Sequence, residues 1–92
     1  MMIFEWDEKK RELNALKHSF DFADAIFVFD DPHKVEIVDN RKNYGEIRIN
    51  TIGLFNSELI VAVLHTDRDE ITRIISARRA SKKERDLYYG NR

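Results

Sequence analysis

Three arginines lie near the C-terminal end of the chain: Arg73, Arg78 and Arg79. The needs of folding do not account for their presence. They lie in or beside the segment TRIISARRA, whose apolar residues predict a β-strand. A small sheet does not need arginines there in order to fold. The guanidinium group is planar, stays charged and binds phosphate through two parallel hydrogen bonds. The pattern therefore indicates a surface for a phosphate-bearing ligand.

A second group of polar side chains comes from the segment EIRINTI. Its strict alternation predicts a strand in which Glu46, Arg48 and Asn50 project from one face. RNA cleavage needs a base for the 2′-hydroxyl, an acid for the leaving oxygen and cations for the developing charge. It needs no metal, because the nucleophile belongs to the substrate. The alternative is that Glu46 and Arg48 form a surface ion pair worth about 0–1 kcal/mol and that Arg73 only covers apolar surface.

Metal and cofactor sites are not indicated by the sequence. The three histidines, His18, His33 and His65, are scattered and lack the spacing of a ligand set. The three glycines form no phosphate-binding loop, and no nucleophile elbow is present. We therefore expect no metal and no cofactor. His18 can act simply as a cation at a helix C-terminus, and His65 as a partly buried, hydrogen-bonded histidine.

Length, composition and charge limit the protein class. The 92 residues predict a single domain spanning 1–92. The chain has no cysteine, which fits a reducing cytoplasm. No secretory signal and no apolar run near the ~20 residues of a membrane helix is present, so we expect a cytoplasmic protein without a membrane partner. Residues 1–67 carry 8 Lys/Arg against 13 Asp/Glu, a net of −5, whereas residues 68–92 carry 8 against 4, a net of +4. This asymmetry suggests a surface that faces a polyanion. For a charge cluster alone, however, a solvated charged end is the more common explanation.

The elements that would position these residues follow from periodicity and capping signals. We predict a strand at Ile3–Trp6, a helix over residues 7–18 capped by Asp7, and a second helix capped by Asp21. The pattern then changes to period two, with turns at Gly53 and Asn56-Ser57, and Ser81 and Glu84 form a capping box for a final helix. Four strands in a meander are predicted in KVEIVD, EIRINTI, ELIVAVLHT and ITRIISA. The fold class is α+β, with two N-terminal helices packed on a mainly antiparallel sheet and a C-terminal helix. The helices are expected to cover one face of the sheet.

Three long stretches together resemble one family. They are WDEKKRELNALKHSFDFADAIFVFDDP, DNRKNYGEIRINTIG and TRIISARRASKKERDLY. Their order and spacing resemble the BrnT family of type II toxins, within the RelE-like group of small ribonucleases, from Phe4 to Tyr88. The resemblance implies a RelE-like fold and a metal-independent endoribonuclease that inhibits translation and growth. It also implies a ribbon-helix-helix antitoxin that represses the operon together with the toxin.

The resemblance also implies roles for particular residues. Arg73 and Arg78 would bind the scissile phosphate, Glu46 would be a base beside Arg48, and His65 would be an alternative acid. Further assignments are Lys17 and His18 for phosphate contact and proton transfer, Arg48 and Arg79 for RNA binding, and Leu87, Tyr88 and Tyr89 for antitoxin binding. The sequence does not separate the acid from the base.

The expected complex contains two toxins and two antitoxins, because ribbon-helix-helix proteins read DNA as dimers. Operator DNA would be bound only through the antitoxin. Two positions depart from the family pattern: Ser19 stands where glycine is common, and His65 where tyrosine is common. The competing hypothesis is a non-catalytic module that binds nucleic acid or a partner, such as a decayed toxin. For Leu87, Tyr88 and Tyr89, the alternative to antitoxin contact is packing against their own sheet.

Overall fold

The protein was analysed as a computed structural model, which describes residues 2–90. One short strand precedes the helices, four strands follow them, and a helix ends the described chain. A 3₁₀ helix directly continues the second α-helix. In chain order the elements are β1 (Ile3–Trp6), α1 (Glu8–His18), α2 (Phe22–Ala25), the 3₁₀ helix (Ile26–Asp30), β2 (Val35–Asp39), β3 (Arg48–Phe55), β4 (Leu59–Arg68), β5 (Ile71–Arg79) and α3 (Lys82–Gly90).

The strands form one five-stranded sheet in the order β1-β5-β4-β3-β2. Strands β2 to β5 pair antiparallel with their sequence neighbours, which confirms the predicted meander. Strand β1 lies parallel to β5 and pairs with its first half, from Ile71 to Ile74. The helices between β1 and β2 therefore connect the two opposite edges of the sheet.

Two apolar clusters cover the two faces of the sheet. The larger contains Phe22, Val28 and Val63 and joins α2 and the 3₁₀ helix to what we call the α1 face. The smaller packs Tyr88 of α3 against Ile52 and other apolar residues on what we call the α3 face. The expected α+β class is confirmed, but the prediction that the helices share one face is wrong for α3. Alternating apolar residues in the strands fill both faces, which leaves a place for a helix on each.

The helix starts follow the predicted caps. The Asp7 carboxylate accepts hydrogen bonds from the first turn of α1, and Asp21 accepts one from Ala23 at 2.9 Å. Ser19 ends α1 in a left-handed conformation with φ 55°. A glycine adopts that conformation without steric cost, so Ser19 performs the same C-cap at some expense in backbone energy.

Strand β3 starts later and runs further than predicted. It begins at Arg48, so Glu46 and Ile47 precede the strand, and Ile47 is exposed. Gly53 lies inside β3 and does not mark a turn. A Cβ atom at Gly53 would lie 2.8 Å from Cγ1 and 3.1 Å from the carbonyl oxygen of Val28. Gly53 therefore permits the 3₁₀ helix to approach the sheet closely, while the predicted turn at Asn56-Ser57 is confirmed by their positive φ angles.

Candidate active site

An irregularity in β5 decides which of its residues share a face. Leu64 of β4 pairs with Ser76, but the next residue, His65, pairs with Ile74, so Ile75 is an extra residue in β5. Strict alternation would place Arg73 and Arg78, five positions apart, on opposite faces. With Ile75 inserted, Arg73, Ser76 and Arg78 lie opposite alternate residues of β4 and share the α3 face.

Arg78 is held by a carboxylate from α3. Its Nη1 and Nη2 atoms donate to Oε1 and Oε2 of Glu84 at 2.7 and 2.9 Å. Glu84 also accepts from the backbone nitrogen of Ser81 at 2.8 Å and from Nδ2 of Asn50 at 2.9 Å. The hydrogen bonds from Arg78 are the main cause that lowers the pKa of Glu84 to about 2, so this carboxylate is ionised at physiological pH. The same pairing raises the pKa of Arg78.

The end of α1 is brought beside Arg78 by a buried asparagine. Asn14 donates from Nδ2 to the carbonyl oxygens of Ala77 (2.8 Å) and Phe20 (3.0 Å), and its Oδ1 accepts from the Ala77 nitrogen at 3.2 Å. Among the described residues, β5 has no strand partner on this edge after Ile74, and the Asn14 amide bonds the edge backbone instead. This contact fixes α1 against β5, with its C-terminal residues near the end of the strand.

His18 and Lys17 occupy that helix end. Burial is the main cause that lowers the pKa of His18 below its usual 6.5, and the charges of Lys17 and Arg78 lower it further. His18 and Arg78 thus both belong to the region where α1 meets β5, which Asn14 holds together through Ala77. At neutral pH most of the His18 imidazole is therefore neutral and able to accept a proton.

Glu46 and Arg48 form a separate pair at the start of β3. Nε of Arg48 donates to Oε2 of Glu46 at 3.1 Å, and both side chains are partly buried. The guanidinium carbon of Arg48 lies 3.8 Å from the centre of the Tyr44 ring, a cation–π contact. The structure thus contains the ion pair that the sequence offered as an alternative, and Tyr44 adds a contact to Arg48.

Arg73 lies on the same face as Arg78 but at a distance. Arg73 pairs with Thr66 and Arg78 with Ala62 of β4. Four residues of strand separate these positions, which is roughly 13 Å at ~3.3 Å per residue. Arg73 also forms an exposed ion pair of 2.9 Å with Glu5 of β1. The structure does not bring the two arginines together around one phosphate.

Arg79 and His65 point away from the α3 face. Arg79 pairs with Val61, a residue of the larger cluster, so its side chain leaves the sheet on the opposite face from Arg78. His65 is 1% exposed and lies against the ring of Phe29. Its Nε2 is 2.7 Å from Oγ1 of Thr51 and its Nδ1 is 2.7 Å from Oδ1 of Asp67. The expectation that His65 acts as an acid beside the arginines does not agree with this buried position.

The C-terminal helix is anchored by Tyr88. Tyr88 is 1% exposed, and its hydroxyl donates to Oδ2 of Asp31 at 2.6 Å. Burial raises the pKa of Asp31, but hydrogen bonds from Tyr88, His33 and Leu54 outweigh it and leave the pKa lowered. The expectation that Tyr88 faces a partner is wrong for this conformation, because its ring packs on its own sheet. Leu87 and Tyr89 remain exposed on α3.

A groove of about 470 Å³ separates α3 from the end of β2 on the α3 face. Its floor is apolar, from Ala62 and Leu64, and Arg78 and Glu84 lie on its wall. Arg41 on the rim forms an ion pair with Asp39, and its charge lowers the pKa of Arg78 against the effect of Glu84. The groove therefore combines charged side chains of both signs with an apolar surface.

Sequence reasoning missed the partners that hold the predicted residues. Glu84 was identified as a capping-box residue, and the cap is present, with the Glu84 nitrogen donating to Oγ of Ser81 at 3.2 Å. Nothing in the local pattern signalled its bond to Arg78. Asn14 had a detectable signal, because it is a polar residue between Leu13 and Leu16 of α1, but helical spacing alone does not identify it as the packed residue. Leu16 is 83% exposed.

Two further kinds of feature are absent from residues 2–90. Within that range no group of three or more His, Cys, Asp or Glu side chains is arranged to hold a metal ion. No helix in the described part is long and apolar enough to cross a bilayer.

Comparison with known proteins identifies the family. The profile described as "Ribonuclease toxin, BrnT, of type II toxin-antitoxin system" matches residues 6–84. The chain belongs to this BrnT family. Membership makes it a ribonuclease toxin of a type II toxin–antitoxin system, and such a system includes an antitoxin as partner.

A solved structure of the family has the same fold. The crystal structure of the Brucella abortus ribonuclease toxin BrnT at 1.1 Å resolution aligns with 34% sequence identity and a TM-score of 0.65. The alignment covers 89% of this chain and 100% of the Brucella chain. A comparison with curated protein sequences finds no significant match. The recognised family and the α+β fold are thus both confirmed.

Proposed function

We propose that this BrnT-family protein is a metal-independent endoribonuclease whose catalytic centre lies where the end of α1 meets the end of β5. The observation that carries the proposal is the convergence of His18, Lys17 and Arg78. Lys17 and His18 end the helix that Asn14 holds against β5 beside Arg78, and burial and these two cations lower the pKa of His18. A base and two cations are the groups that RNA cleavage by its own 2′-hydroxyl requires.

Each group has a defined part in the proposed reaction. Neutral His18 accepts the proton of the 2′-hydroxyl as its oxygen attacks the adjacent phosphorus. Arg78 and Lys17 stabilise the negative charge that develops on the phosphate oxygens. The bond to the 5′-oxygen breaks, and that oxygen takes a proton from the ammonium group of Lys17. The products are a 2′,3′-cyclic phosphate and a 5′-hydroxyl, and Lys17 and His18 are restored by exchanging protons with water.

The remaining predicted residues are proposed to act outside this centre. In this proposal Arg73, Arg48 and Arg79 contact RNA phosphates away from the cleaved bond. Their charges are partly balanced, by Glu5 for Arg73 and by Glu46 for Arg48. Glu46 stays a second candidate base, although its ion pair with Arg48 favours a role in positioning.

The two arginines on the α3 face provide a matched test. Arg78→Ala should reduce cleavage roughly 10²–10³-fold, the range for losing one preorganised electrostatic group. Arg73→Ala, the same change in charge about 13 Å away, should reduce it less than about 10-fold. Cleavage is measured on purified RNA and in a translation extract, with circular dichroism to verify folding. Equal losses in the two folded variants, or no loss in Arg78→Ala, would contradict the proposed centre.

For the partner, we propose a ribbon-helix-helix antitoxin in a complex of two toxins and two antitoxins. Operator DNA is bound through the antitoxin, because specific readout requires an element in the groove. The exposed residues Leu87 and Tyr89 of α3 form the proposed contact, which would block RNA from the neighbouring groove. Leu87→Glu should weaken the complex at least 10-fold in a titration, with cleavage retained. Tight operator binding by toxin alone, or a complex without an antitoxin dimer, would contradict this assembly.

A further inference from the structure

The ion pair between Arg78 and Glu84 uses only some of the hydrogen-bond donors of the arginine. An arginine side chain carries five N–H donors. The two N–H groups of Nη1 donate to Glu84 and to the carbonyl oxygen of Arg79. One N–H group of Nη2 donates to Glu84. Within residues 2–90, no hydrogen bond is made by the Nε–H or by the second Nη2–H of Arg78. These two parallel donors form the side edge of the guanidinium, which matches two phosphate oxygens.

Glu84 is itself firmly placed. Its carboxylate receives four hydrogen bonds, from Arg78, Asn50 and the Ser81 backbone, and its side chain is only 14% exposed. One of these donors, Asn50, lies in β3, and another, the Ser81 nitrogen, directly precedes α3. The carboxylate is therefore fixed relative to both the sheet and the helix, and it fixes the end of the Arg78 side chain in turn.

We propose that Glu84 is a positioning residue for the ribonuclease centre, which orients Arg78 so that its Nε–Nη2 edge is presented to an RNA phosphate. The proposal rests on the proposed function, because it requires RNA as the substrate. A free arginine side chain loses much rotational freedom when it binds a phosphate in one geometry. Ordering by Glu84 removes most of that loss before the substrate arrives, an advantage on the order of 10-fold in rate.

A purely structural role for Glu84 makes the opposite prediction. If Glu84 only capped α3, then Glu84→Gln would keep an acceptor for the Ser81 nitrogen and would remove a negative charge near the RNA. Fewer negative charges strengthen RNA binding, so cleavage would be unchanged or increased. If Glu84 orients Arg78, the amide group of Gln faces Arg78 with a donor in place of an acceptor, and cleavage falls despite the gain in net charge.

The test compares Glu84→Gln with Asp86→Asn, which removes the same charge from an exposed ion pair with Lys82 on the same helix. We expect kcat/KM to fall about 10-fold in Glu84→Gln, with most of the change in kcat, and to stay within 2-fold in Asp86→Asn. The pKa of Glu84 is lowered to about 2, so this carboxylate is ionised throughout the assay range. The ratio of kcat/KM for wild type to kcat/KM for Glu84→Gln should therefore stay constant from about pH 5 to 8.

A double-mutant cycle shows whether Glu84 acts through Arg78. In an Arg78→Ala background, Glu84→Gln should change kcat/KM by less than about 2-fold. A further 10-fold loss there, or a folded Glu84→Gln protein that cleaves as well as wild type, would overturn the inference alone. Wild-type protein that cleaves no RNA, free or on ribosomes, would overturn the proposed function and the inference together.

Discussion

Replacing Asn14 by leucine is expected to destabilise the protein severely without creating a large cavity. The two side chains are similar in size, so little cavity forms. The change removes all three hydrogen bonds of the Asn14 amide and leaves the carbonyl oxygens of Phe20 and Ala77 and the Ala77 nitrogen without partners. Each buried unsatisfied group costs about 1–3 kcal/mol. The loss should therefore be at least about 3 kcal/mol.

That loss is large relative to the total free energy of unfolding of the protein. At ~0.05–0.15 kcal/mol per residue, a chain of 92 residues has a free energy of unfolding of roughly 5–14 kcal/mol. The assay is urea unfolding followed by circular dichroism. Leu16→Ala on the exposed side of the same helix is the control, with an expected change within about 0.5 kcal/mol. Because Asn14 fixes the end of α1, RNA cleavage by Asn14→Leu should also fall, by more than the unfolded fraction explains.

A small change in the free energy of unfolding would refute the role given to Asn14. A free energy of unfolding for Asn14→Leu within about 1 kcal/mol of wild type would mean that the amide does not hold α1 on the edge of β5. The placement of the helix end beside Arg78 would then need another cause.

Three further predictions concern the backbone and the pH dependence of cleavage. Ser19→Gly should raise the free energy of unfolding by about 0.5–1 kcal/mol, because glycine adopts the left-handed C-cap without strain; a lower value in urea unfolding would contradict this. Gly53→Ala should lower it by about 1–3 kcal/mol because its Cβ would meet Val28 at 2.8 Å, whereas a neutral change would show that the contact relaxes freely. The acidic limb of kcat/KM should lie below pH 6.5, the ordinary pKa of His18, with cleavage increasing as His18 loses its proton. Lys17→Gln should move that limb to higher pH, because a positive neighbour that lowers the pKa is removed, and an unshifted limb would exclude His18 as the base.

Local signals in the sequence predicted much of the fold. The caps at Asp7, Asp21 and Ser81 lie at the starts of helices, because side-chain capping depends on residues within one turn. The four-strand meander followed from period-two patterns separated by short turns. The exact start of β3 at Arg48 did not follow, because alternation continues through Glu46 and Ile47 although pairing does not.

The site was harder to predict because it depends on contacts between distant residues. The irregularity at Ile75 shifts Arg78 to the face of Arg73, and no local pattern announces an extra residue in a strand. The bond from Asn14 to Ala77 joins residues 63 positions apart. His65 illustrates the same limit: its residue type suggested an acid, and only the fold shows that it is enclosed between Thr51 and Asp67.

The central claim is that RNA is cleaved by its own 2′-hydroxyl at the centre formed by His18 and Arg78. The most direct measurement compares one transcript with the same transcript carrying 2′-fluoro groups at every position, in EDTA, with and without ribosomes, and identifies the new ends. The account predicts cleavage of the natural transcript to 2′,3′-cyclic phosphate and 5′-hydroxyl ends, no cleavage of the 2′-fluoro transcript, and a loss of roughly 10²-fold or more in His18→Ala. Cleavage of the 2′-fluoro transcript, activity that requires Mg²⁺, or full activity in His18→Ala would contradict it.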